Sequence, residues 1–438
     1  MLNLGETNVL VIGAGVCGIQ SSLDLADMGF NVYLVEKNPS IGGHMAQLDK
    51  TFPTLDCSAC ILTPKMVDVA RHPNINLLTY SEVKEISKDN SFEVTILKKP
   101  RYIEEEKCTG CGICAQHCPI EVTSEFDMGL GIRKAVYVPF PQAIPLVFTI
   151  DKEHCIDCGL CEKMCEAGAV NHDQQPVDIK VKVESIIVAT GFHPFDARKK
   201  GEYGYGIYDN VYTGLEFERL LSAGGPTGGH LARLSDGRIP KKIAFIQCVG
   251  SRDEKVGNLN CSRVCCMYST KQAILAKEHV HGVDIQIFYS DIRAYGKGFE
   301  EFYRRAEDEF GVKFIRGFVS EIVENPETKN LLLRVEDTET EELVEREFDM
   351  VVLSTGLWPT KDAEIIEKIF SLPRREDGFF APADLQLSSV VTPTGGIYIA
   401  GAAEGPKDIP DSISQASAAA MKASMSIVKI SRGGISND

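Results

Sequence analysis

The sequence predicts an α/β protein whose main domain is interrupted by a small cysteine-rich insert. Three observations carry that prediction. A glycine-rich strand–turn–helix opens the chain at Asn8. Strand-and-glycine elements of the same kind return at Val183, Met350 and Gly396. Between the first and second of these lie two cysteine runs of identical spacing.

The chain has 438 residues, enough for two or three domains. Its 44% hydrophobic and 25% charged fractions are those of an ordinary globular protein. A net charge of −16 argues against binding nucleic acid, which needs clustered Lys and Arg to neutralise phosphates. No apolar run of about 18 residues occurs, so no transmembrane segment is expected. The N-terminus lacks the basic segment of a secretory signal. A soluble, cytoplasmic protein is therefore expected, and in it fifteen cysteines point to metal ligation rather than disulfides.

Asn8–Ile12 reads as a buried strand running into Gly13-Ala14-Gly15-Val16-Cys17-Gly18, then an apolar-periodic helix through Ile19, Leu23, Leu25 and Ala26. A second strand, Val32–Val35, ends at Glu36 with Lys37 beside it. This is a dinucleotide fingerprint: Gly13 for the turn, Gly15 for close approach to a pyrophosphate at the helix N-terminus, Gly18 for helix–strand packing, and Glu36 for ribose hydroxyls. Cys17 inside it reads as a small packed side chain. Gly42-Gly43 resembles the second glycine pair of FAD-binding flavoproteins, which favours FAD over NAD here. Val183–Val188 with Gly191, and Met350–Leu353 with Gly356, resemble the strand-then-glycine element of thioredoxin-reductase-like flavoproteins with two dinucleotide domains. Gly401, Asp408 and the helix Ser412–Met425 resemble their closing FAD element.

The insert carries Cys108-x-x-Cys111-x-x-Cys114-x-x-x-Cys118-Pro119 and then Cys155-x-x-Cys158-x-x-Cys161-x-x-x-Cys165. This is the bacterial two-cluster ferredoxin pattern, in which the fourth thiolate of each run crosses to the other cluster. One 4Fe–4S cluster is expected on Cys108, Cys111, Cys114 and Cys165, the other on Cys155, Cys158, Cys161 and Cys118. Paired zinc sites are the competing reading, but zinc uses C-x-x-C pairs rather than a three-plus-one run repeated twice.

A further strand, Lys242–Gln247, stands where a nicotinamide domain would open, yet no second fingerprint follows it. Cys248, Cys261, Cys265 and Cys266 follow instead, with Lys271 on a helix expected to start near Ser269. Spacing alone leaves a third 4Fe–4S cluster, a group of bare thiols and a zinc site open. Adjacent Cys265 and Cys266 would require irregular backbone to share a cluster. The C-x-x-C of Cys57 and Cys60 reads as a redox dithiol facing a flavin, as ligands shared with another chain, or as structural.

Gly42-Gly43-His44, the run Phe52-Pro53-Thr54-Leu55-Asp56-Cys57-Ser58-Ala59-Cys60, both ferredoxin runs, Cys248-Val249-Gly250-Ser251-Arg252 and Gly401 to Pro410 together resemble the A subunit of heterodisulfide reductase. That resemblance spans essentially the whole chain. It implies an FAD-bearing iron–sulfur hub that divides electron pairs between ferredoxin and a disulfide-reducing subunit. It also implies a hydrogenase or formate dehydrogenase module and ferredoxin as partners, and leaves the donor open among hydrogenase, formate dehydrogenase and reduced ferredoxin. It makes Cys248, Cys261, Cys265 and Cys266 ligands of a third cluster, and Lys271 a lysine near flavin N5; a surface helix lysine is the competing reading. This chain reads as a short form, without the added cluster domains at either end, which leaves bifurcation open. The expected organisation is an FAD domain in three parts (1–99, 176–240 and 356–438), a ferredoxin insert at 100–175 and a nicotinamide-domain-like module at 241–355. The alternative is a self-contained pyridine-nucleotide-dependent disulfide or quinone reductase using Cys57 and Cys60.

Overall fold

The computed structural model describes residues 7–338 and 340–431. They gather into two compact units. The first takes the chain up to Ala46, Ala59–Phe192 and the stretch from Pro359 onward; the second takes Gln47–Ser58 and His193–Trp358. Residues 193–240, expected with the FAD domain, thus group with the second unit.

The first unit is built on five parallel strands, in the order Ile397–Ile399, Ser185–Val188, Asn8–Ile12, Asn31–Glu36 and Ile75–Thr79. A parallel strand covered on both faces needs apolar residues on both sides, which is why residues 9–12 show no polar alternation. Val9, Val11 and Ile187 share one core with Leu23 and Ala26 of the helix Val16–Asp27. Ala416, Ala419, Ala420 and Ala423 of the last helix, Ile409–Ser431, complete that core. Leu10, Ile12, Ile186 and Val188 share the other with Phe92, Val94, Ile96 and Val183 of a three-stranded antiparallel sheet. The single strand expected over Val183–Val188 is therefore two, Val177–Val183 and Ser185–Val188, in different sheets. They part at Glu184, whose carboxylate accepts the Asn8 backbone N–H at 2.8 Å.

The cysteine-rich insert leaves the strand Phe92–Lys98 and returns into Val177–Val183, its antiparallel neighbour, with Lys98 opposite Val177. It is an enlarged hairpin loop, so the sheet register survives it. It is also stapled in place. Buried Arg101 donates from Nη2 to Pro39 O (2.7 Å) and Thr79 Oγ1 (2.6 Å), and from Nη1 to Thr149 Oγ1 (2.8 Å). Ile41 donates its N–H to Ile144 O at 3.0 Å.

The second unit is a seven-stranded sheet in the order Val211–Thr213, Met350–Thr355, Lys242–Val249, Asp284–Tyr289, Lys313–Glu324, Leu331–Asp337 and Glu342–Phe348. The first five strands are parallel and the last two continue as antiparallel hairpins. The helix Gly214–Leu221 begins with a capping box, Thr213 and Glu216 each bonding the other's backbone N–H. The helix after Cys261 starts at Cys265, not near Ser269, and runs to His279. The irregular backbone lies ahead of the cysteine pair, at Arg263 with φ +63°. No helix among the described residues is long and apolar enough to cross a membrane.

Candidate functional site

The glycine fingerprint of the first unit makes a cradle of bare backbone. A Cβ on Gly18 would sit 1.8 Å from Gly13 O, so only glycine lets helix and turn meet there. A Cβ on Gly43 would sit 2.9 Å from Gly15 Cα, which brings the two glycine pairs face to face. The helix beginning at Val16 has neither a side-chain cap nor an acidic residue in its first turn. Its N–H groups and positive dipole end are thus available to an anion. Glu36 is buried; Oε2 accepts Ala14 N–H (2.8 Å), and Oε1 accepts the Asn38 N–H (2.9 Å) and side-chain amide (2.8 Å). Burial raises its pKa above the usual carboxylate range, against those hydrogen bonds and nearby Lys37.

Lys37 itself pairs with Asp362 at 2.9 Å. Gly42 donates its N–H to Ala14 O at 2.8 Å. Open space surrounds Gly191, and beside Gly13 the buried Thr190 Oγ1 has no hydrogen-bond partner. An unpaired hydroxyl at the mouth of a glycine cradle fits a polar ligand that completes it. Gly401 donates its N–H to Gln415 Oε1 (2.8 Å), and Asp408 Oδ1 accepts Asp411 N–H (2.8 Å) at the start of the last helix. Cys17 packs under Gly401, whose Cβ would lie 2.9 Å from its sulfur. Burial pushes the Cys17 thiol up to about 12, which makes it an inert packed side chain.

In the insert the two runs fold alike. Gly112 and Gly159, both left-handed, precede the short helices Ile113–Gln116 and Leu160–Lys163, which bury Cys114 and Cys161. The thiols that repel Cys114 are Cys108, Cys111 and Cys165; those that repel Cys161 are Cys155, Cys158 and Cys118. The crossed sets thus stand as neighbours, each with three thiols from one run and one from the other. Burial, ahead of these repulsions, raises Cys114 to about 12 and raises Cys161. Cys118, Cys155, Cys158 and Cys161 line one small apolar pocket, with Val136, Leu160 and His172 in its wall. Backbone N–H groups already point at ligand sulfurs: Ala169 at Cys165 (3.3 Å) and Asp157 at Cys155 (3.4 Å). Among the described residues no three His, Cys, Asp or Glu side chains converge on a single-ion site.

The second unit holds the third cysteine group. Its strand Lys242–Val249 slips register against Met350–Thr355 between Ile246 and Val249, and there Cys248 takes φ +61°. A long loop then leads to the helix whose first two residues are Cys265 and Cys266. Ser251 Oγ and Ser262 Oγ, 2.6 Å apart, pin its two limbs together, and Ser262 Oγ accepts Leu357 N–H at 2.9 Å. Trp358 Nε1 donates to Gly250 O at 2.8 Å. Cys265 is repelled by Cys266, Cys248 and Cys261; Cys266 by Cys248 and Cys261. All four thiols therefore share one site. Burial is the main reason Cys248, Cys265 and Cys266 hold their protons, with Cys266 at about 11 and Cys265 raised well above the thiol range. Two buried and two half-buried thiols gathered in this way fit a cationic cluster that would replace their protons.

Lys271 is 1% exposed, so it is not a surface lysine. Its Nζ donates to Glu218 Oε1 (2.6 Å) and to Lys50 O (2.8 Å). Glu218 Oε1 also accepts Asp49 N–H (2.9 Å), and buried Arg219 donates to Gln47 O (2.9 Å). These side chains clamp the Gln47–Ser58 strap onto the second unit. Cys57 is the last residue but one of that strap, Cys60 lies in the helix Ser58–Arg71, and both are disulfide-bonded. Glu218 and Arg219 were not legible as site residues, because a charge beside Phe217 and Leu220 reads as a solvated helix face.

Comparison with known proteins agrees with this anatomy. Residues 107–170 match the 4Fe-4S dicluster domain model, and residues 11–71 match an NAD(P)-binding Rossmann-like domain model. Thioredoxin reductase of T. acidophilum has a similar fold, with a TM-score of 0.55 at 15% identity, covering 97% of this chain and 100% of that one. Lactococcus lactis thioredoxin reductase gives 0.54 at 14% identity, over 97% and 100% of the two chains. The fold is thus thioredoxin-reductase-like, with a two-cluster ferredoxin domain inserted. The iron-sulfur A subunit of CoB--CoM heterodisulfide reductase from Methanocaldococcus jannaschii is 58% identical over 96% of this chain and 64% of its own length. The A subunit of H(2)/formate:CoB-CoM heterodisulfide,ferredoxin reductase from Methanococcus maripaludis is 59% identical over 95% of this chain and 63% of its own. This chain spans just under two thirds of these curated relatives. Along almost all of its own length, therefore, the chain is a relative of the A subunits of CoB–CoM heterodisulfide reductases.

Proposed function

We propose that the chain is the FAD- and cluster-bearing electron-transfer part of a cytoplasmic oxidoreductase of the heterodisulfide-reductase type. The observation that carries this reading is the sorting of twelve cysteines into three sets of four neighbours, in a chain that also forms an open glycine cradle. Gly13, Gly15, Gly18, Gly42, Gly43 and Gly191 would hold the FAD pyrophosphate by backbone alone, Glu36 would accept from its ribose, and Gly401 and Asp408 would close the site. Lys37, already paired with Asp362, would act only as a nearby charge. When bound, FAD exchanges electrons in pairs or singly, and the clusters exchange them singly.

The chain's own residues fix where those groups sit. Arg101 holds the ferredoxin insert against Pro39 and Thr79, next to the Glu36–Gly43 stretch. Burial of Cys114, Cys161 and Cys265 keeps water from the ligand sulfurs. Lys271 commits two of its three N–H groups to Glu218 and Lys50 O, which fixes its charge at one point of the second unit. The names of the relatives join heterodisulfide and ferredoxin reduction. We extend that to this chain: a hydrogenase or formate dehydrogenase module is the donor, and ferredoxin and a disulfide-reducing partner are the acceptors.

Iron, acid-labile sulfide and flavin analysis of anaerobically purified protein tests the reading. About twelve irons per FAD are expected from three four-iron clusters; about eight would remove the third cluster, and zinc alone would overturn the reading. The disulfide-bonded state of Cys57 and Cys60 favours one second reading, a pyridine-nucleotide-dependent disulfide reductase. Rapid bleaching of the flavin by NADH or NADPH in the isolated chain would establish it.

A further inference from the structure

The cysteine group at Cys248 stands beside an arginine–aspartate pair: Arg252 follows Cys248 by four residues, and the Asp291 carbonyl accepts from Cys266 Sγ at 3.7 Å. Arg252 Nη1 pairs with Asp291 Oδ2 at 2.7 Å. Its backbone is fixed too: Arg252 N–H donates to Asn260 O at 3.1 Å, with φ +56°. One backbone N–H points at the same set: Arg263 N–H donates to Cys261 Sγ at 3.3 Å. The charged side chains facing the site are Arg252 and Asp291, with Arg293 Nη2 3.4 Å from Asp291 and Arg263 stacked 5.0 Å from the Tyr295 ring centre. In a chain of net charge −16 this is a locally cationic rim around four sulfurs.

A cluster that takes up one electron becomes more negative, so fixed positive charge and N–H donors at its sulfurs favour the reduced form. Arg252 and Asp291 carry opposite charges at the same edge of the set, so they bias a cluster there in opposite directions. We infer that Arg252 and Asp291 form an opposed pair that sets the reduction potential of a cluster on Cys248, Cys261, Cys265 and Cys266, Arg252 raising it and Asp291 lowering it. This rests on the reading of those four cysteines as cluster ligands. Both residues act by charge and neither is catalytic. The partial exposure of each weakens the effect through solvent screening.

The test is an anaerobic redox titration of the full chain followed by electron paramagnetic resonance, with the third cluster's signal identified as the one lost in Cys261→Ser. Arg252→Gln should make that cluster harder to reduce by about tenfold, ~59 mV for a one-electron couple. Asp291→Asn should shift it the opposite way. Arg252→Lys, which keeps the charge, should stay nearer the wild type than Arg252→Gln. Loosening of the loop alone would move both neutral variants in the same direction. Unmoved potentials, shifts of the same sign, or a lysine variant that behaves like glutamine would each overturn the charge pair. If Cys261→Ser removes no signal, the cluster assignment itself fails, and the inference goes with it.

Discussion

Lys271 Nζ lies 2.6 Å from Glu218 Oε1, and both side chains are shut off from solvent. A buried pair of this kind gains little over an apolar pair, but breaking it leaves one charge stranded. Lys271→Met should therefore destabilise the second unit by about 3–5 kcal/mol, while Lys271→Met with Glu218→Leu should recover only part of that loss, since Asp49 N–H and Gln272 Nε2 also bond Glu218. Denaturant unfolding of the two variants measures it. Because Lys271 also holds Lys50 O, the single variant should expose the Gln47–Ser58 strap to limited proteolysis before the rest of the chain.

Gly18→Ala drives a methyl group into Gly13 O. We expect purified protein that has lost most of its flavin yet keeps its iron, since the insert folds on its own core of Ile103, Val136, Phe148 and Ile150. Visible absorption and iron assay together measure this. Loss of both in equal measure would mean that the insert depends on the cradle.

The crossed thiol sets predict which double substitutions are redundant. Cys118→Ser with Cys155→Ser should cost about four irons, no more than either alone, because both cysteines serve one cluster. Cys118→Ser with Cys108→Ser should cost about eight, although both lie in the same run. Iron counting on the four proteins decides between crossed and uncrossed ligation.

Glu36 gives a pH dependence to the flavin-free chain. Its folded pKa is raised, chiefly by burial, so the folded state binds the proton more tightly than the unfolded state does. Its contribution to stability therefore falls as pH rises from about 4.3, the ordinary glutamate value, through the raised folded value. Glu36→Gln should flatten the slope in that window. The comparison is the melting temperature of wild type minus variant across the acid range, both without flavin.

Relationships between near neighbours were already written in the order of the residues. Gly13 to Gly18 and Glu36 are spaced by one strand, one turn and one helix, so covalent geometry alone predicts a dinucleotide cradle. The ferredoxin runs are likewise local: two residues between thiols fix the loop, and the crossing follows from its repetition. The cysteine pair at 265 and 266 was harder, because Ser269 is a favoured cap residue whereas the helix starts after Val264 with no side-chain cap. The long-range charges found their partners only in the folded chain. Lys271 and Glu218 lie 53 residues apart, and nothing in either helix marks them as buried until the two helices pack. Arg252 meets Asp291, and Lys37 meets Asp362, for the same reason. A buried charge is tolerated only when packing delivers its partner, and packing is a property of the whole sheet rather than of the residues beside it.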